Sequence, residues 1–223
     1  MGGGFPIDLI LFGMIAAFLI IRLRGILGRR TGFERQQTER PNGPVLVPGV
    51  GRAAPVIDAK AEPTASARPL PDAASPIGLT LVRMRSVDQG FDPATFLHGA
   101  ETAFRMIVDA FARGDRVALR PLLDDPTYRA FETAIATRET AGETQRSEIR
   151  SIERATIDEA ALDATTARLT VRFVSDQVAE TLDKQGRSTA GSDAVTEITD
   201  IWTFERDLRQ PVPAWRLTAA HSG

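Results

Sequence analysis

Residues 91–115 read FDPATFLHGAETAFRMIVDAFARGD, which is the pattern of a long amphipathic helix with a defined start and end. Asp92 is a typical N-cap residue, and Pro93 takes the first helical position, where no N–H is needed. Apolar residues then recur three and four positions apart, the spacing of one helix face: Leu97, Ala100, Phe104, Ile107, Val108 and Phe111. Gly114 and Asp115 end this helix and begin the next.

Three shorter patterns surround this helix. Upstream, an apolar ridge of Leu79, Leu81 and Met84 indicates that order begins near Ile77. Downstream, a short helix that Pro121 constrains carries Val117, Leu119, Leu122 and Leu123. Asp125 and Pro126 then indicate the cap of a further helix, with Tyr128, Phe131, Ile135 and Ala136 on one face, ending near Gly142. The first half of this region is therefore predicted to be helical.

After Gly142 the apolar spacing changes to alternation, which is typical of strands. We predict strands over residues 147–157, with a bulge, and over 166–174, 194–206 and 214–219, with a polar hairpin loop over 183–192. Helices followed by strands predict an α+β domain, in which the N-terminal helices pack on one face of a curved antiparallel sheet. We assign this domain to residues 77–223.

The N-terminus has a different character. Phe5 to Ile21 is apolar, and Leu9 to Ile21 contains no charged residue and no proline. The stretch from Phe5 to Ile21 just reaches the length of the shortest membrane-spanning helices, about 17 residues. Four arginines and no acid follow at once: Arg22, Arg24, Arg29 and Arg30. Because basic residues are retained on the cytoplasmic side, we predict a single-pass anchor over residues 1–30, with its N-terminus outside and the rest cytoplasmic.

Two alternatives to an anchor stay open. A cleaved signal peptide carries its basic residues before the apolar run, whereas here they follow it. A buried helix of a soluble domain usually has a polar face, and this stretch has none.

A proline-rich segment joins the anchor to the domain. Eight of the fourteen prolines lie between residues 40 and 76, and little apolar bulk separates them. Because proline disrupts helices and interior strands, we predict a disordered linker over residues 31–76. Its function is that of a spacer or, alternatively, of a short binding motif such as Pro44 to Pro48.

Charge and composition exclude several classes of function. From residue 91 onward there are 16 basic and 22 acidic side chains, which gives no support to nucleic-acid binding. The absence of cysteine excludes disulfides, thiolate metal sites and thiol nucleophiles. The two histidines, His98 and His221, lie in no metal-binding or catalytic pattern. We therefore expect no cofactor, no metal and no catalytic site.

Asp200 is the one carboxylate that merits attention. It shares the predicted inward face with Ile198 and Trp202, and an inward carboxylate in a pocket can act as a general base. The alternatives are a bulge that turns it outward or pairing with an arginine such as Arg172 or Arg206. If a pocket is open, aromatic side chains would line it: Phe104, Phe131, Trp202, Phe204 and Trp215. Otherwise these aromatics form the core.

At these residues the chain resembles the Tim-forty-four-like domain family. The resemblance lies in Phe91–Asp92, Phe96–Ala100, Gly114–Asp115, Leu119–Leu123, Tyr128, Phe131, Trp202–Arg206 and Trp215–Leu217. It implies a nuclear-transport-factor-two-like fold, a cone-shaped α+β domain with a concave pocket that often dimerises through its sheet. It also implies a scaffold that tethers a translocase, chaperone or ribosome to a membrane.

Together these features predict a non-enzymatic adaptor of the bacterial inner membrane, which binds membrane lipid through its anchor and a protein partner through its cytoplasmic domain. Homodimerisation is a further expectation from the resemblance. The alternative is a domain whose pocket binds a small molecule or lipid, or acts as an isomerase-type enzyme through Asp200. An adaptor should need its anchor, whereas a pocket enzyme should not.

Overall fold

The computed structural model describes residues 68–210 and 214–223. Helices come first and strands second, as the sequence predicts. The helices are α1 (Pro76–Val87), α2 (Pro93–Arg113), α3 (Arg116–Leu119) and α4 (Asp125–Ala141). The strands are β1 (Thr144–Asp163), β2 (Thr166–Leu182), β3 (Ser188–Asp207) and β4 (Arg216–Ser222), and they form one antiparallel sheet in the order β1-β2-β3-β4. The α+β class with an antiparallel sheet is thus confirmed.

Helix α2 has the ends that its sequence predicts. The Asp92 carboxylate accepts a hydrogen bond from the backbone N–H of Thr95, and Pro93 is the first helical residue. Gly114 ends the helix in the left-handed conformation, with φ of 70°, which glycine adopts without a Cβ penalty. Asp115 then caps α3 by accepting from the N–H of Ala118. The local pattern was sufficient here because every capping contact is local.

The cap of α4 differs from the prediction by one residue. Asp124, and not Asp125, accepts a hydrogen bond from the N–H of Thr127. Asp125 is the first helical residue, and its carboxylate instead pairs with Arg120 at 2.6 Å. Both aspartates suit a helix N-terminus, so the sequence alone could not decide between them.

Order extends slightly upstream of the predicted domain start. Ser75 caps α1 by accepting from the N–H of Gly78, and Leu81 and Met84 of this helix are buried. Further upstream, Arg68 forms two 2.7 Å hydrogen bonds with the carboxylate of Glu101 in α2. Residues 68–76 of the predicted linker therefore contact the domain.

The strands are longer than predicted and contain irregularities. The register of β1 against β2 shifts at three places, between Ile149 and Ser151, Ile152 and Arg154, and Ile157 and Glu159, so the predicted bulge is confirmed. The β2–β3 turn is shorter than the predicted loop, because Asp183 closes it by accepting from the N–H groups of Gln185 and Arg187. Such bulges let long strands bend.

One hydrophobic core lies between the helices and one face of the sheet. The sheet contributes alternate residues such as Leu169, Val171 and Phe173, all fully buried. Helix α2 contributes most from the other side: Phe96, Leu97, Ala100, Phe104, Ile107 and Ala110. Strand β4 is closed at its outer edge, where Leu217 donates to the carbonyl of Leu122 at 2.9 Å and accepts from Asp124 at 3.1 Å.

Within residues 68–210 and 214–223, no helix is long and apolar enough to cross a membrane. The predicted anchor from Leu9 to Ile21, its arginines and residues 31–67 of the predicted linker lie outside the described residues. They stay predictions from the sequence.

Candidate functional site

Three of the predicted pocket aromatics lie together in the core. Phe104 is fully buried and stacks on Phe173, with ring centroids 4.5 Å apart and planes 3° apart. The ring of Trp202 stands edge-on to that of Phe104, with the ring centroids 4.6 Å apart. The ring centroid of Phe204 lies 6.3 Å from that of Trp202. Such contacts indicate a filled aromatic core, in which the rings pack against one another.

The other two predicted aromatics lie elsewhere. Trp215 is half-buried. Its ring centroid lies 4.7 Å from that of Phe96 and 6.2 Å from that of Phe91. Phe131 on α4 is also half-buried and contacts Phe111 at 4.9 Å. The structure therefore separates the five aromatics into a central group, a lateral residue and a residue on α4.

Asp200 points inward, as its alternation predicts, and is 6% exposed. The amide nitrogen of Gln177 donates to its carboxylate at 2.8 Å and to the hydroxyl of Ser175 at 2.9 Å. The two arginines that the sequence offered as partners form other pairs, Arg172 with Asp158 and Arg206 with Asp88. A buried carboxylate can be retained in this way because amide and hydroxyl groups lie beside it.

Neither histidine belongs to a cluster of metal-ligating side chains in the part of the chain that the structure describes. His98 is an exposed residue of α2. His221 lies in β4 opposite Ile201. The strand therefore extends beyond residue 219, where the sequence predicts its end, because the last residues pair with β3.

The structure also forms a surface hollow that the sequence did not indicate. This hollow, called the arginine hollow below, is open to solvent and has a volume of ≈ 530 Å³. Its lining residues are Arg116, Val117, Arg120, Pro121, Tyr128 and Arg216. They come from α3 and the turn after it, from α4 and from the start of β4. The sequence named Val117, Pro121 and Tyr128 as helix residues, and Arg120 and Arg216 only within the family motifs. It did not indicate a hollow, because a sequence does not show that residues 116 and 216 meet.

Two of its arginines form ion pairs with carboxylates that do not line the hollow. Arg116 makes two hydrogen bonds to Glu139, at 2.9 and 2.8 Å. Arg120 bonds Asp125 at 2.6 Å and lies over the ring of Tyr128, 4.9 Å from its centroid. These hydrogen bonds lower the pKa of the Glu139 and Asp125 carboxyls and raise the pKa of Arg116. The charged forms of all three groups are therefore favoured at neutral pH.

The family follows from the sequence as a whole. A family model described as a Tim44-like domain matches residues 78–222.

The chain belongs to the Tim44-like domain family.

Domains of this family are generally associated with membranes and interact with proteins. Several of the apolar residues by which the sequence resembles the family, such as Phe96, Leu119 and Trp202, are buried in the core. Membership therefore accounts for the fold of this Tim44-like domain more directly than for its contacts with partners.

Solved structures show distant likenesses. The intermembrane space region of the chloroplast protein ARC6 is 12% identical, with 56% of this chain and 95% of that chain covered and a TM-score of 0.41. A nuclear transport factor 2-like protein from Salmonella enterica is 9% identical, with 59% and 92% covered and a TM-score of 0.36. A protein from Planctomyces limnophilus is 18% identical, with 56% and 94% covered and a TM-score of 0.33. No curated protein matches the sequence.

Proposed function

We propose that this Tim44-like protein is a membrane-anchored adaptor that works by binding and not by catalysis. Its N-terminal segment, Leu9 to Ile21 with the arginines after it, would anchor it in a bacterial inner membrane. Its domain would hold a protein partner, a translocase, chaperone or ribosome, near the cytoplasmic face. The family match over residues 78–222 is the observation that carries this proposal.

The physical advantage of such an adaptor is effective concentration. A linker of some tens of residues keeps the domain within tens of ångströms of its anchor, because the end-to-end distance of a flexible chain grows with the square root of its length. A partner bound by the domain then meets membrane components at a local concentration far above that in solution. The protein would thus act by positioning its partner at the membrane and not by catalysing a reaction.

The packing of the domain is consistent with a binding role. Phe104, Phe204 and Trp202 are 0%, 1% and 5% exposed and contact one another or other aromatics. Side chains that fill a core cannot at the same time line an open cavity. A partner would accordingly bind at the surface of the domain.

The experiment compares three forms of the full chain in intact cells. They are the wild type, a form lacking residues 1–30, and a form with an unrelated single-pass anchor of equal length and orientation. Cells are cross-linked, the protein is purified in mild detergent and its partners are identified by mass spectrometry. We expect a translocase, chaperone or ribosomal protein with the first and third forms and not with the second. Equal enrichment with the unanchored form would contradict the adaptor.

A second candidate function has support from one observation, the burial of Asp200 beside Gln177 and Ser175. A buried carboxylate of this kind could serve a pocket that binds a small molecule or lipid, with Asp200 as a general base. Asp200→Asn keeps the shape and removes the charge. A lipid or metabolite that co-purifies with the wild-type chain and not with Asp200→Asn would favour this candidate over the adaptor.

A further inference from the structure

The arginine hollow gathers basic side chains on a domain whose net charge is negative. Three of its six lining residues are arginines and none is acidic. Arg216 forms no ion pair or side-chain hydrogen bond with any residue in 68–210 or 214–223. The hydrogen bond from Arg120, together with the positive charges of Arg129 and Arg216, lowers the pKa of the Asp125 carboxyl. Arg116 and Arg120 are already paired, with Glu139 and Asp125, so Arg216 supplies the positive charge that attracts a further anion.

The hollow also has apolar walls. Val117 is 85% exposed, and Pro121 beside it is exposed as well. The ring of Tyr128 forms part of the wall beneath Arg120. A ligand that carries an anionic group next to an apolar side chain would match both the charge and the walls of the hollow.

Two of the arginines are already in position for such a ligand. Arg116 and Arg120 are fixed by Glu139 and Asp125, so little side-chain entropy is lost when an anion binds. The planar guanidinium presents paired N–H donors, which match the two oxygens of a carboxylate. The geometry thus suits a carboxylate with defined orientation.

The shape of the hollow and the charge of the domain favour a peptide over a lipid surface. A concave space of ≈ 530 Å³ admits individual side chains, whereas a bilayer surface meets convex surfaces more readily. With 22 acidic and 16 basic side chains after residue 90, the domain is otherwise negatively charged. The net negative charge of the domain would therefore repel an acidic segment, and the arginines of the hollow would attract it.

We propose that the arginine hollow binds an acidic segment of the protein partner, placing a carboxylate on Arg216 and Arg120 and a neighbouring apolar side chain against Val117. This inference rests on the proposed adaptor function, since it assumes that the partner is a protein.

The test measures fluorescence anisotropy of a fluorescein-labelled peptide of alternating leucine and glutamate, titrated with the full chain in non-ionic detergent. A leucine–glutamine peptide is the matched probe. Arg216→Gln removes the free guanidinium, and Arg154→Gln is the matched control, because Arg154 is exposed on β1, at the other edge of the sheet. Circular dichroism verifies that both variants are folded.

We expect the glutamate peptide to bind more weakly as salt is added, and Arg216→Gln to weaken it about tenfold, since a charge-assisted hydrogen bond contributes roughly that factor. Arg154→Gln should leave the affinity unchanged. Equal binding of the two peptides, or equal effects of the two substitutions, would overturn the proposal.

A lipid occupant is tested separately. The chain has no cysteine, so Val117→Cys introduces a single thiol for an environment-sensitive fluorophore. We expect its emission to shift when the glutamate peptide is added and not when the protein is moved from zwitterionic to anionic nanodiscs. A shift caused by anionic lipid alone would overturn the peptide in favour of the membrane surface.

The two proposals can fail independently. If partners cross-link to the anchored full chain and Arg216→Gln leaves them unchanged, the hollow is not the binding site and the adaptor stands. If the glutamate peptide binds through Arg216 but no partner depends on the anchor, the hollow stands and the adaptor fails.

Discussion

Arg206 and Asp88 lie 118 residues apart in the sequence and form an ion pair, in which Nη2 of Arg206 donates to Oδ2 of Asp88 at 2.7 Å. The side chains are 9% and 21% exposed, and Nε of Arg206 is buried without a hydrogen-bond partner among the described residues. The pair ties the end of α1 to β3. Among the described residues, Asp88 is the carboxylate that forms an ion pair with Arg206.

We expect Asp88→Asn to lower the free energy of unfolding by about 3 kcal/mol, because it leaves a buried guanidinium without its counter-charge. Asp158→Asn is the control, since it breaks the more exposed pair with Arg172 and should cost less than about 1 kcal/mol. Urea unfolding followed by tryptophan fluorescence measures both. Equal losses of unfolding free energy in the two variants would show that the burial of Arg206 does not increase the cost of breaking its ion pair.

The pair of Arg68 and Glu101 should hold the end of the linker on the domain. Glu101 is 7% exposed, and both of its oxygens accept from Arg68. This hydrogen bonding raises the pKa of Arg68. We expect Arg68→Ala to speed hydrogen exchange in residues 68–87 and to leave the sheet amides unchanged. Arg83→Ala, on the exposed side of α1, is the control, and equal acceleration by both would rule out this role for the ion pair.

Substitutions at two glycines of the β2–β3 hairpin would distinguish the cost of backbone strain from that of steric overlap. Gly186 and Gly191 have nearly equal positive φ, 74° and 73°. A Cβ at Gly186 would meet nothing within 4 Å, whereas one at Gly191 would overlap the carbonyl oxygen of Ala179. We expect Gly186→Ala to cost about 1–2 kcal/mol from strain alone, and Gly191→Ala about 1–3 kcal/mol more. Thermal unfolding compares them, and similar melting temperatures would contradict the close approach of Gly191 to Ala179 across the hairpin.

The cap of α2 should contribute to acid sensitivity. The hydrogen bond from the N–H of Thr95 lowers the pKa of the Asp92 carboxyl. Its stabilisation is therefore complete above the ordinary value of about 3.9 and is lost as the pH falls through the lowered value of the folded state. Asparagine caps helices without titrating.

We thus expect Asp92→Asn to flatten the dependence of stability on pH below about 4 and to change little at neutral pH. Asp193→Asn is the control, because Asp193 is exposed and makes no side-chain hydrogen bond within the described ranges. Unfolding free energies at several acidic pH values decide the question. Parallel curves for the wild type and Asp92→Asn would refute it.

The aromatic core can be tested against an open pocket. Phe104→Ala should lower the free energy of unfolding by about 3–5 kcal/mol, since Phe104 is fully buried between Phe173 and Trp202. Phe131→Ala should cost clearly less, because Phe131 is only half-buried. Chemical denaturation gives both values. A cost at Phe104 as small as that at Phe131 would indicate that its ring borders empty space.

The sequence predicted those elements whose limits are set by neighbouring residues. Helix α2 begins at Pro93 and ends before Gly114 because its caps and its apolar spacing are local. The inward direction of Asp200, Trp202 and Phe204 also followed from alternation. Thr196, which the same alternation would turn inward, is exposed, and the register of β3 against β2 shifts just beyond it, between Gln177 and Ala179. Such a shift depends on the partner strand, which the local sequence does not contain.

By itself, the sequence determined the order of helices and strands, the α+β class and the family, since capping, periodicity and core composition are properties of single segments. Only the tertiary structure decided which side chains meet. It paired Arg206 with Asp88, placed Gln177 beside Asp200, and brought Arg216 of β4 to Arg116 and Arg120. The physical reason is that a surface site is formed by residues distant in the chain, and their approach depends on how the helices pack on the sheet.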